Sequence, residues 1–181
     1  MNGQNYYIYF ICTLPMLHFG MKPPFSYERF LETASRYIPE EDLEILKMSS
    51  ISGEYAAIDN RQEALKKWHA FDTALRNELV KIRSSRKRVD PAKYLRHDGP
   101  YEASIAHIAM NAHRNPSILE GERMLDEDRW KVLDEFEAGH YFDLDILITY
   151  AHKLLILERW EKINTAEGPH ILEEFVCRKK E

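Results

Sequence analysis

Apolar side chains recur along this chain at the three- and four-residue steps of an amphipathic helix. The clearest example spans residues 61–83. Its apolar positions, at steps of four, three, four, four and three, are Ala64, Trp68, Phe71, Leu75, Leu79 and Ile82. Side chains at these steps share one face of a helix, so the segment predicts a helix with one buried side.

The pattern changes between residues 144 and 160, where apolar residues cover nearly the whole helix. One face carries Leu144, Leu147, Ile148, Ala151, Leu154 and Leu155, and a second carries Ile146, Tyr150, Leu157 and Trp160. A helix that is apolar on almost all sides belongs at the centre of a bundle. The remaining narrow polar stripe consists of Asp145, Thr149, His152 and Arg159. We expect this stripe to reach water or the polar surface of a partner.

A compact corner precedes this helix, at residues 139–145, with the sequence GHYFDLD. Gly139 follows a helical run and can adopt the left-handed backbone conformation that ends a helix. Asp143 precedes Leu144 and can accept a hydrogen bond from the first free amides of the next helix. Both Asp143 and Asp145 would lie at the positive end of that helix. The corner, made of Gly139, His140, Tyr141, Phe142 and Asp143, therefore predicts one helix ending and another beginning.

The other segments also read as helices. Residues 6–14 are aromatic and β-branched, which favours a strand, but no later segment offers a partner strand, so we predict a buried helix ended by Pro15. Ser26 is predicted to cap a helix, and Pro39 and Asp90-Pro91 to open short ones. The predicted buried face after Ser26 is Tyr27, Phe30, Leu31, Ala34 and Tyr37.

Three further helices complete the prediction: residues 101–113, a helix from Asn115-Pro116 to Ala138, and a final turn at 171–177. The second of these would bury Ile118, Leu125, Val132 and Phe136. The chain is thus predicted to be all-α, an irregular multi-helix bundle. We expect a single helical domain over residues 1–181, with two lobes, 1–100 and 101–181, as the alternative.

Composition narrows the possible partners and location. The formal net charge of −5 disfavours nucleic acid and anionic membranes as partners. The apolar run at residues 6–14 is too short to cross a bilayer, so we predict no direct membrane insertion. Cys12 and Cys177 have no metal-ligand spacing and suit a reducing cytoplasm with buried or inert thiols, with a disulfide between them as the alternative.

Candidate chemistry is sparse. Glu137 and His140 have the Glu-x-x-His spacing of di-iron bundles, but the other match, Glu167 to His170, is interrupted by Gly168-Pro169. A helix-ending glycine beside a capping histidine is the simpler interpretation. The alternative is a metalloprotein with a carboxylate–His site, using Glu137, His140, Asp143 and Glu158. The scattered glycines form no nucleophile elbow and no phosphate loop, so we predict a non-enzymatic protein without a cofactor.

Two charged segments are candidates for partner binding. The helix at residues 61–83 runs into a basic run of Lys81, Arg83, Arg86, Lys87 and Arg88, while residues 120–145 carry ten acids against three bases. A solvated helix end is the simpler interpretation of the basic run. Electrostatic docking is the functional one, and the candidate residues are Arg83, Arg86, Lys87, Arg88, Asp145, His152 and Arg159. A stand-alone helical adaptor that binds an acidic partner is a further hypothesis.

Three stretches carry a resemblance to a known group of proteins. They are YYIYFICTLPMLHFG with PPFSYERFL, the later stretch RWKVLDEFEAGHYFDLDILITYAHKLLILERW, and the helical sequence between them. The late stretch contains the corner together with Leu157, Glu158 and Trp160. The chain resembles an uncharacterised bacterial family related to the C subunit of V/A-type ATPases, called d in eukaryotes.

The resemblance implies a role in assembly rather than catalysis. The C subunit is a funnel-shaped helical socket that sits on the membrane rotor ring and receives the foot of the central stalk. The implied partners are therefore the central stalk and the rotor ring. The chain would be cytoplasmic, held beside the inner membrane through the complex. At 181 residues the chain would supply one or two lobes of about 100 residues, where the C subunit has three. It is thus predicted to be a shortened stalk subunit, an accessory or assembly factor, or a relative that has left the complex.

Overall fold

The structure, a computed structural model, describes residues 6–48, 62–96 and 103–165. These residues form seven α-helices and no β-strand, which confirms the all-α prediction. The helices are α1 Ile8–Thr13, α2 Tyr27–Ala34, α3 Glu40–Met48, α4 Glu63–Lys87, α5 Ala103–Arg114, α6 Ile118–Phe136 and α7 Leu144–Asn164. A 3₁₀ helix, Pro91–Lys93, lies between α4 and α5. The predicted turn at residues 171–177 and Cys177 lie outside the described residues.

The contacts divide the chain into two compact units. Unit 1 comprises residues 1–53 and 140–181, and unit 2 comprises residues 54–139. The two-lobe alternative placed its boundary between residues 100 and 101. The boundaries of the observed units instead follow residues 53 and 139 of the chain. The difference arises because α2 and α3 pack against α7, the last helix, which no local pattern in the sequence reveals.

The central helix of unit 1 is α7, which packs against α2 and α3. Eleven of its residues are buried, among them Leu147, Ile148 and Leu154, which are fully enclosed. Ser26 caps α2, because its Oγ accepts a hydrogen bond from the Arg29 amide at 3.2 Å. The prediction that the stripe on α7 reaches water is wrong for Asp145, Thr149 and His152, which are buried along with Lys153.

The N-terminal segment is helical, as predicted, but it is not a buried helix. Phe10 is enclosed and stacks on Phe30, whereas Ile8 and Tyr9 are 55% and 69% exposed. The helix ends because Leu14, the residue before Pro15, adopts an extended conformation. The thiol of Cys12 is free and exposed, so the expectation of a buried thiol is wrong at this position. Tyr37, predicted to be inward, lies beyond the end of α2 and is 46% exposed.

Unit 2 is built from α4, α5 and α6, with α4 against α5 and α5 against α6. The predicted apolar face of α4 is buried from Ala64 through Leu79, and the helix continues to Lys87, so that it includes the basic run. α6 begins after Ser117, and Ile118 is 86% exposed rather than inward. A Cβ on Gly121 would lie 2.8 Å from the Ala112 carbonyl oxygen, so α5 and α6 approach closely at this glycine.

Candidate functional site

The GHYFDLD corner is held by its own polar side chains. Asp143 caps α7, because its Oδ1 accepts a hydrogen bond from the Ile146 amide at 3.3 Å. Its other oxygen, Oδ2, lies 2.6 Å from Nδ1 of His140, and that nitrogen lies 3.5 Å from Oδ2 of Asp145. Gly139 has a φ of +89°, the left-handed conformation expected of a helix-ending glycine. One histidine ring therefore lies against two carboxylates at the start of a buried helix, where the helix dipole favours negative charge.

The N-terminal segment is hydrogen-bonded to the same corner. The Tyr7 amide donates a hydrogen bond to the Phe142 carbonyl at 2.6 Å, and the Tyr7 hydroxyl donates to Asp42 on α3. Tyr7 is buried, while Tyr141 remains 72% exposed. This role of Tyr7 and Asp42 was not predicted, because the three segments lie far apart in the chain. The aromatic start of the chain was the only signal available.

The geometry bears directly on the metalloprotein hypothesis. Glu137 and His140 do not share a helix face, because α6 ends at Phe136. Glu158 lies about 20 Å along α7 from the corner, given a rise of 1.5 Å per residue. His140, Asp143 and Asp145 are nonetheless a group whose ligand atoms lie within 4.8 Å of one another. Three donors are one fewer than a closed tetrahedral zinc site requires. In the structure the polar atoms of His140, Asp143 and Asp145 contact one another, and Asp143 also caps α7.

Glu158 has a structural role in unit 1. Its Oε1 accepts a hydrogen bond from the Tyr27 amide at 2.7 Å. Tyr27 is the first residue of α2, where backbone amides lack intrahelical partners and the helix dipole favours a negative charge. Leu157, beside it, is buried and Trp160 is partly exposed. Residues 156–160, with the sequence ILERW, thus link α7 to α2 through Glu158.

A second polar cluster, in unit 2, was not predicted. The Arg129 guanidinium lies 2.7 Å from Asp126 on the same helix and 3.6 Å from Asp72 on α4. The Nε of Arg76 also reaches Asp72, at 2.6 Å. Both carboxylates are buried, since Asp72 is 3% exposed and Asp126 is 1% exposed. Both carboxylates are thus paired with guanidinium groups inside the unit, and Arg129 links α6 to Asp72 on α4.

The candidate partner-binding residues divide into two groups. Asp145 and His152 are buried, which removes them from any surface of the chain. Arg159, Arg83, Arg86, Lys87 and Arg88 are exposed, and Arg83 lies 3.7 Å from Glu122. Within residues 6–48, 62–96 and 103–165, no ion pair includes Arg86, Lys87, Arg88 or Lys93. The end of α4 therefore presents cations that form no ion pair within the described chain.

This group of cations is joined by exposed apolar side chains. Tyr94 is 59% exposed, Val89 44% and Leu95 36%. We use the term basic surface for the side chains of Arg86, Lys87, Arg88, Val89, Lys93, Tyr94 and Leu95. The charge pattern of the sequence shows only the basic run, because Lys93, Tyr94 and Leu95 return alongside α4 only through the turn that follows the helix.

One family model matches part of the chain. The family is described as "Protein of unknown function (DUF2764)", and its model matches residues 105–181. The matched segment contains most of α5, all of α6, the GHYFDLD corner and α7. No curated protein and no solved structure matches the chain. None of the helices in the described ranges has the length and hydropathy needed to span a bilayer.

Proposed function

We propose that this chain is a non-enzymatic, C-subunit-like component of a bacterial V/A-type ATPase, either in the central stalk or as an accessory or assembly factor. It would act on the cytoplasmic side by fitting between other subunits. The sequence resemblance in the N-terminal stretch and in the corner–α7 stretch motivates the proposal. An all-helical fold is compatible with it, and the same fold would serve many other roles.

The observation that best supports the proposal is the contrast between the inside and the outside of the chain. In the corner, the ionisable groups are engaged in capping α7 and in pairing with one another. At the end of α4, four cations project from the surface without an ion pair among the described residues. Charges that are engaged inside and available outside suit a protein that docks onto others.

Co-purification tests the proposal. A tagged copy, expressed in the native bacterium, would be recovered from gently solubilised membranes, and the bound proteins identified by mass spectrometry. We expect ATPase subunits in the recovered complex and none with the tag alone. If cells shown to express the ATPase yield none of its subunits with the tagged chain, the proposal is wrong.

The carboxylate–His metalloprotein remains the second candidate, and the cluster of His140, Asp143 and Asp145 is the observation that favours it. Elemental analysis of protein purified without chelator separates the two. The docking proposal expects less than about one tenth of an equivalent of iron, manganese or zinc. Near-stoichiometric metal that is lost in His140→Gln would instead support the metalloprotein.

A further inference from the structure

The basic surface is held in place by the fold. At the end of α4 the amides of Arg88 and Val89 donate to the carbonyls of Ser85 and Ser84, which closes the helix with Arg88 at a φ of +54°. Asp90 then caps the 3₁₀ helix through the Ala92 amide at 3.0 Å. The chain therefore reverses within a few residues of the last turn of α4.

The reversed segment is fastened to α4 by one buried side chain. The Asn77 amide group donates to the Arg96 carbonyl at 2.7 Å, and its oxygen accepts from the Arg96 amide at 3.0 Å. Asn77 precedes Lys87 by ten residues, which is about 15 Å along the helix. Residues 89–96 must therefore run back beside the last turns of α4. This return places Tyr94 and Leu95 alongside α4, beside the turns that precede its cationic end, while Val89 directly follows Arg88.

The cations of this surface form no ion pair among the described residues. Residues 86–93 contain four bases and one acid, Asp90, whose Oδ1 accepts the capping hydrogen bond. By contrast, Lys81 lies 2.6 Å from Glu78, one turn earlier on α4. Like charges held close together repel one another, and a surface of opposite charge relieves that repulsion. In a chain with a net charge of −5, this is a local exception.

The apolar side chains indicate what kind of partner fits. Protein interfaces are enriched in tyrosine and arginine, and their cores exclude water from apolar groups. A phosphate backbone would contact the cations but would leave Val89 and Leu95 in water, and an anionic bilayer would repel a chain with a net charge of −5. We infer that the basic surface is a docking site for an acidic, partly apolar surface of another protein. The inference holds whether or not that protein is an ATPase subunit.

Site-specific photocrosslinking in the native bacterium tests the inference. The probe is a benzophenone amino acid placed at Tyr94 in the full-length chain, with the same substitution at the exposed Tyr141 of unit 1 as the control. We expect position 94 to crosslink to a protein segment rich in Asp and Glu, and position 141 not to reach that segment. Crosslinks from position 94 to RNA would overturn the inference in favour of a nucleic acid.

Charge reversal is the second test of the docking inference. Arg86→Glu, Lys87→Glu and Arg88→Glu together should lower recovery of that crosslink at least about tenfold, because each changed residue would repel the acidic partner. The matched control reverses the exposed cations Lys66, Arg114 and Arg123, which changes the net charge equally. Raising the salt from about 0.05 to 0.5 M should also weaken binding. Unchanged crosslinking in the first triple variant, or equal loss in both, contradicts the inference.

A variant that leaves the net charge unchanged distinguishes loss of the docking site from misfolding. Tyr94→Ser with Leu95→Ser keeps every charge and should still lower affinity for the identified partner, with an unchanged circular dichroism spectrum. An acidic ATPase subunit at position 94 supports both the docking site and the proposed function. An acidic protein from outside the ATPase supports the docking site alone. Recovery of ATPase subunits without any crosslink from position 94 leaves the proposed function standing and removes this docking site.

Discussion

The two units bury charge in different ways. Unit 1 gathers His140, Asp143 and Asp145 within one turn of chain at the start of α7. Unit 2 places Arg129 and Asp126 of α6 against Asp72 of α4, so that its cluster joins segments more than fifty residues apart. The first cluster fixes the backbone of a corner, whereas the second fixes how two helices pack. Loss of the second should therefore cost far more stability.

The largest effect is expected in the cluster of unit 2. Arg129→Ala would leave Asp72 and Asp126 buried without their shared guanidinium, at a cost of about 3–5 kcal/mol in the free energy of unfolding. Urea denaturation followed by circular dichroism measures the change. Arg123→Ala, an exposed position on the same helix, is the control and should change stability by less than about 0.5 kcal/mol. A loss below about 1 kcal/mol for Arg129→Ala would show that the cluster does not hold unit 2 together.

The corner of unit 1 should respond more weakly. Asp143→Ala removes the acceptor for the Ile146 amide and should cost about 1–2 kcal/mol. Asp143→Asn keeps an oxygen that can cap the helix, so we expect it to cost clearly less. The same denaturation experiment compares the two variants. Equal losses would mean that the charge beside His140, rather than the cap, determines the stability of the corner.

The helix ends offer a paired test, since Gly139 and Arg88 both have positive φ values. A side chain is disfavoured there, so Gly139→Ala should destabilise the protein by about 1 kcal/mol. Arg88→Gly should stabilise it by up to about the same amount, because glycine adopts this conformation freely. Thermal melting monitors both variants. Destabilisation by Arg88→Gly would show that the arginine side chain makes a stabilising contact that outweighs its backbone strain.

The smallest effect concerns pH. Burial lowers the pKa of His69 from 6.5 to about 4, against an opposing attraction to the Asp72 carboxylate. Between these values the unfolded chain binds more protons than the folded one, so the free energy of unfolding decreases as the pH falls through this window and recovers as it rises.

The measurement compares urea denaturation at the two ends of that window. His69→Gln should lose less stability than the native chain on acidification, by roughly 1 kcal/mol once solvent screening of the partly exposed ring is included. His107→Gln, at an exposed position on α5, is the control and should retain the native dependence. Identical slopes for the native chain and His69→Gln would contradict this role of the ring.

Local chemistry explains which parts of the fold were predictable. Ser26, Asp90 and Asp143 cap helices as their side chains and positions predicted, and Gly139 takes the left-handed conformation. The periodicity of α4 located its buried face. Each of these features depends on residues within about one helical turn, which is the range over which a sequence pattern can be read directly.

The errors have a common physical cause. Ile118 was expected inside because it is apolar, yet it lies in the first turn of α6, whose inner face begins at Gly121. Asp145, Thr149 and His152 were expected outside because they are polar, yet the helix that carries them is buried on most sides. Polarity alone does not set exposure, because Asp145 lies 3.5 Å from His140 and the Thr149 hydroxyl donates to the Ile146 carbonyl inside the unit.

The sequence by itself determined the helical class of this protein, most of its helices and the chemistry of its caps, because hydrogen bonds and periodicity within a segment decide them. Only the tertiary structure decided that the first and last helices share a unit, that Arg129 bridges two buried carboxylates, and that the segment carrying Tyr94 and Leu95 returns alongside α4. These features bring together residues distant in the chain, and their energy arises only when the helices pack.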